Sequence, residues 1–187
     1  MKFLLLTINL ILVSYLPASA QNIARAGEIF TGYCKSLSGK ELQTGSYIEN
    51  AINLYGKLLE SGINTNKARI VIILKKNYQQ NSLNPNRNYL KFTPREKRPY
   101  HSLVVYHNKA LDPSCNVPVQ KSSIKHYFKT LWQDDFKSGE LQIFAFQLRH
   151  IPEVMGITSN KKPTLTRFKP VSLNYFLNNP MHVSQKK

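Results

Sequence analysis

The sequence predicts an α+β protein, a mainly antiparallel sheet with an N-terminal helix pair and a third helix packed on it. Three observations carry this expectation. Two segments near the N-terminus repeat apolar residues at steps of three and four, as an amphipathic helix requires. "ARIVIILKK" (68–76) holds a continuous β-branched run, as a central strand reads, and "ELQIFAFQLRH" (140–150) reads as a second core strand. No strict strand–helix alternation and no internal repeat joins them, which favours an antiparallel sheet with helices on one face.

The first twenty residues, "MKFLLLTINLILVSYLPASA", place Lys2 before an apolar run and end on Ala18-Ser19-Ala20. That pattern reads as a secretory signal peptide removed after Ala20. The run is interrupted by Thr7, Asn9 and Ser14 and is short for a membrane span, which needs about 20 apolar residues. Residues 21–187 are expected to form a single α+β domain, with an irregular proline-containing C-terminal tail and no transmembrane segment. The short leader has a bacterial character.

From 22 to 37, Ile23, Ala26, Ile29, Phe30, Tyr33, Cys34 and Leu37 fall on one helical face, and Gly39 follows it. A second helix is predicted from Thr44 or Ser46 to Ser61, with Gly62 as its left-handed C-terminal residue. These two should pair antiparallel and cover the sheet. "YLKFT" (89–93) and "HSLVVYH" (101–107) read as strands, and the Asn-rich stretch before them as a loop. A third helix is predicted over 122–136, capped by Ser122 or Ser123. In the tail, a strand near 165–171 and a helical turn at 173–177 are expected.

Two cysteines, Cys34 and Cys115, are present in a chain that reads as exported, so they are expected to form a disulfide worth about 4 kcal/mol in the chain-entropy model. No paired-cysteine or Cys/His spacing suggests a metal, and no phosphate-cradling glycine loop or hydrolase motif suggests a cofactor. The sequence therefore predicts neither.

Charge is the sharpest functional signal. Lys and Arg number 26 against 10 Asp and Glu, a formal net charge of +16. Between Ser61 and Leu131, thirteen cations face only Glu96 and Asp112. The stretch "KFTPREKRPYHS" (91–102) gathers Lys91, Arg95, Lys97 and Arg98 between Phe92 and Tyr100. Acids would serve solubility at least as well, so their scarcity points to a polyanion. Lys75, Lys76, Arg87, Lys91, Arg95, Lys97, Arg98, Tyr100 and His101 are the expected ligand-binding residues.

The chain thus reads as an exported bacterial binding protein, possible as a host-directed effector in virulence. It would dock peripherally on anionic phospholipid headgroups, most sharply phosphoinositides. Each basic residue near an anionic leaflet contributes about 1 kcal/mol. The alternatives are a secreted ribonuclease or phosphodiesterase using His and Glu in a basic groove, or a non-catalytic nucleic-acid or glycosaminoglycan binder. His101 and His107 share a strand face, while His150 stands beside Arg149 and near Glu140 and Glu153, a set whose composition suits acid–base work. The plainer reading makes the histidines strand-end residues and Asp134-Asp135 solvated helix surface. The balance of these signals favours a non-catalytic protein.

Overall fold

A computed structural model of the chain describes residues 18–37, 47–76, 82–91, 100–116, 119–152 and 165–187. Helix α1 (Ala18–Ser36) is followed by helix α2 (Tyr47–Glu60), which ends on Gly62 at φ 72°, the left-handed conformation that glycine adopts without penalty. The expected cleavage point after Ala20 falls within the first turn of α1, and residues 1–17 lie outside the described residues. No helix among the described residues is long and apolar enough to cross a membrane.

Five strands form one sheet among the described residues: β1 (Ala68–Lys75), β2 (Tyr100–Tyr106), β3 (Lys109–Leu111), β4 (Leu141–Phe146) and β5 (Val171–Ser172), in the order β3-β2-β1-β4-β5. Every pairing is antiparallel. The fold is therefore α+β, as the sequence predicts. Helices cover both faces, however, and not one. Ile70, Ile72 and Leu74 of β1 pack with Phe30, Leu54 and Leu58 of α1 and α2. Val71 and Ile73 pack on the other side with Tyr127, Phe128 and Leu131 of α3 (Ile124–Leu131) and with Phe176 of α5 (Leu173–Asn178). A central strand covered on both faces is apolar where it enters the two layers, which is why 70–74 is an unbroken run, while the buried Arg69 at its start donates to the carbonyls of Asn66 and Met181.

The third predicted helix is two helices. Ser123 caps α3 by accepting from the His126 N–H, and the chain then breaks at Trp132 (φ −114°, ψ 34°) before α4 (Gln133–Ser138). Trp132 is fully buried, and the break lets its ring enter the core between the two helices. Tyr89 and Leu90 also differ from expectation. Arg87–Tyr89 is a 3-10 turn, Leu90 makes a bridge to Cys115, and residues 92–93 of the expected strand lie outside the described residues. Backbone bonds from Lys91 N–H to Ser114 O (2.9 Å) and from Asn116 N–H to Tyr89 O (2.8 Å) hold this segment beside the 114–116 turn. The predicted tail strand is confined to Val171–Ser172, with 165–167 in a 3-10 turn, while the helical turn is present as α5.

The predicted disulfide is absent. Cys34 and Cys115 form no disulfide, and each thiol faces a different acceptor. Cys34 Sγ lies 3.8 Å from Gln120 Oε1, whereas Cys115 Sγ lies 3.0 Å from Asp112 Oδ2.

Candidate functional site

β2 and β3 are joined by a two-residue turn at His107 and Asn108, and His107 takes φ 52°, a left-handed conformation uncommon outside glycine. The hairpin sets Leu111 opposite Val104. Continuing past Leu111, the chain runs back along β2, and Asp112 arrives beside His101. His101 Nε2 and Asp112 Oδ2 are 2.8 Å apart, and the two side chains are 0% and 1% exposed.

Asp112 is the hub of a buried polar cluster. Its Oδ2 also accepts from the Tyr127 hydroxyl at 2.8 Å and the Cys115 thiol at 3.0 Å. Its Oδ1 accepts from the Ser114 N–H at 3.0 Å and the Ser114 hydroxyl at 2.7 Å. A carboxylate is acceptor-only with about four lone-pair sites, so this donor set suits the ionised form. Burial alone would push the Asp112 carboxyl up. The adjoining His101 and the bonds from His101, Cys115 and Ser114 overcome that and hold it far below the usual carboxylate range. Burial, and then the charge of Asp112, push the Tyr127 hydroxyl well up, so it stays a neutral donor.

With an ionised carboxylate at Nε2, the hydrogen-bond network makes that nitrogen the donor to Asp112. Nδ1 is buried and makes no hydrogen bond among the described residues. Its ring is fixed between Tyr47, at the head of α2 with centroids 4.9 Å apart, and Trp132 at 5.3 Å. Three helices and a hairpin thus set the position of one imidazole.

The predicted ligand residues are dispersed. Lys75 is engaged internally, 2.7 Å from Asp135 and 3.7 Å from Glu140, and its hydrogen bond to Asp135 raises its pKa. Asp135 is 3% exposed and also accepts from the Asn84 N–H at 3.0 Å, so it is a buried strut and not solvated surface. Lys76 and Arg87 are exposed, Lys91 and Tyr100 half-buried, and His101 fully buried. Arg95, Lys97 and Arg98 lie outside the described residues. Glu140 and His150 flank opposite ends of β4, a six-residue strand that spans about 20 Å, so they cannot share one small site. Glu153 lies outside the described residues.

Sequence reasoning missed Asp112, Tyr127 and Trp132 as partners of His101. One signal was available: Asp112 is the only acid between Glu96 and Asp134, and it precedes Pro113-Ser114, turn residues that favour an Asp-headed turn. No group of three or more His, Cys, Asp or Glu among the described residues is arranged to hold a metal ion. No family model matches the chain, and no curated protein matches it.

Proposed function

We propose that the chain is an acyl-transfer enzyme in which His101 is the general base and Asp112 its orienting partner. The observation that supports this is the unpartnered, buried Nδ1 of an imidazole whose Nε2 is bonded to an ionised carboxylate. In that arrangement a hydroxyl or thiol at Nδ1 gives its proton to the ring as its oxygen or sulfur bonds to the carbonyl carbon of an ester or amide. The imidazolium, stabilised by Asp112, returns the proton to the departing alkoxide or amine, and water repeats the cycle to free the acid.

Neither cysteine suits the role of nucleophile. Cys115 is on the Asp112 side of the ring, where a carboxylate at 3.0 Å opposes thiolate formation. Burial raises the Cys34 thiol above its ordinary value. The nucleophile is the residue that peptide mapping of the labelled protein identifies.

The test is covalent labelling of the purified protein with a fluorophosphonate and, separately, with a thiol-directed acylating probe. Peptide mapping then reads the modified residue. Labelling should fall about 100-fold or more in a folded His101→Gln variant, the scale of a lost general base. No adduct from either probe, or labelling indifferent to His101→Gln, would overturn the proposal.

A second reading keeps the basic surface as a docking face for anionic lipid headgroups outside the cell. The exposed Lys76 and Arg87 favour it, since neither enters an ion pair among the described residues. Export itself is proposed from the leader-like residues 1–20.

A further inference from the structure

We propose that a groove between α1 and the β2–β3 hairpin binds an amphipathic organic carboxylate. The groove encloses about 570 Å³, a volume in the range of ligand pockets. It opens on the sheet face that carries Tyr106 and Leu111, the face packed by α1 and α2. His101 shares the opposite face with Leu103 and Val105, so the groove is independent of the acyl-transfer site.

Its chemistry is asymmetric. Ala26, Tyr106 and Leu111 form a buried, largely apolar floor. The rim carries Lys35, Lys109 and Lys121 against a single acid, Glu28. Lys121 reaches across to α1, donating to the Thr31 hydroxyl at 3.1 Å. On the α1 side a side chain is missing where one would fill the space: a Cβ built on Gly27 or Gly32 meets nothing within 4 Å.

The second observation points to a ligand directly. Tyr106 is 1% exposed and lines the groove, yet its hydroxyl has no hydrogen-bond partner. Burying a hydroxyl without a partner costs about 1–3 kcal/mol on mutational scales, so a bound acceptor would relieve a standing penalty. Tyr106 and Lys109 are cross-strand partners and project from the same face of the hairpin. Together they offer a neutral O–H and an ammonium to one carboxylate. Burial raises the Tyr106 pKa, which keeps the hydroxyl a donor at neutral pH. The apolar body of the ligand then lies along Ile23, Ala26 and Leu111.

Calorimetric titration of the purified protein with dodecanoate below its micellar concentration tests this, with dodecyltrimethylammonium as the cationic comparison. Saturable one-site binding of dodecanoate is expected, with at least tenfold weaker binding of the cation. Gly27→Leu fills the groove and should abolish binding, and Gly32→Leu provides an independent block if Gly27→Leu lowers the melting temperature. Tyr106→Phe, which removes a single oxygen, should weaken binding about fivefold or more. No saturable binding up to millimolar dodecanoate, equal binding of the cation, or affinity unchanged in both glycine variants would overturn the proposal.

Discussion

The thiol of Cys115 lies 3.0 Å from the carboxylate of Asp112 and is fully buried, while Cys34, half-buried on α1, faces Gln120. The two thiols are therefore chemically distinct. Under non-reducing conditions, denatured protein should take up an alkylating group on both. In the native state Cys34 should react slowly, because burial raises its pKa and reduces its thiolate fraction, and Cys115 should not react until the protein unfolds. A mass two protons short of the dithiol form would contradict the free-cysteine structure.

Asp112 makes stability depend on acid. Its folded pKa lies below the unfolded value, so the stabilisation is fully present above about pH 4 and is lost as pH falls from there toward the folded pKa. Thermal melts between neutral and strongly acidic pH should show the wild type losing stability across that window. Asp112→Asn should be less stable at neutral pH and should show a shallower acid dependence. Parallel curves for the two proteins would mean that other carboxylates govern the acid transition.

The Lys75–Asp135 pair joins β1 to α4, and the second oxygen of Asp135 holds the Asn84 N–H. Asp135→Ala leaves the Asn84 N–H without its acceptor and the mostly buried Lys75 ammonium with only Glu140 at 3.7 Å, and should cost about 3 kcal/mol in urea unfolding. Asp135→Asn keeps an acceptor for Asn84 and should cost clearly less. Equal losses would indicate that only the charge matters.

For the basic surface, vesicles containing phosphoinositide separate a site from diffuse attraction. Arg95→Glu/Lys97→Glu/Arg98→Glu is expected to lose tenfold or more in vesicle binding, about 1.4 kcal/mol. Lys161→Glu/Lys162→Glu/Lys169→Glu changes the formal charge equally and should lose less. Equal losses would assign the attraction to net charge alone.

Much of the fold was legible because its elements are local. The apolar steps of α1 and α2, the unbroken run of β1 and the Ser123 cap each reflect chemistry within a few residues of chain. β3 escaped notice because three residues, Lys109–Leu111, carry no readable periodicity. The run of β1 also announced burial on two faces, although the sequence-based reading covered only one.

By itself the sequence determined the two N-terminal helices and the strands β1, β2 and β4, the excess of positive charge, and the leader-like character of the first residues, since all three follow from neighbouring side chains or from composition. Only the tertiary structure decided what the polar groups meet. Cys115 was expected to face Cys34 and instead faces Asp112, three residues away, while His101 finds that same carboxylate across a hairpin. Lys75 was expected to bind an anionic ligand and instead meets a carboxylate sixty positions on. Such pairings depend on strand register and on where a helix breaks, and a shift of one residue in β3 would turn Asp112 to the other face of the sheet.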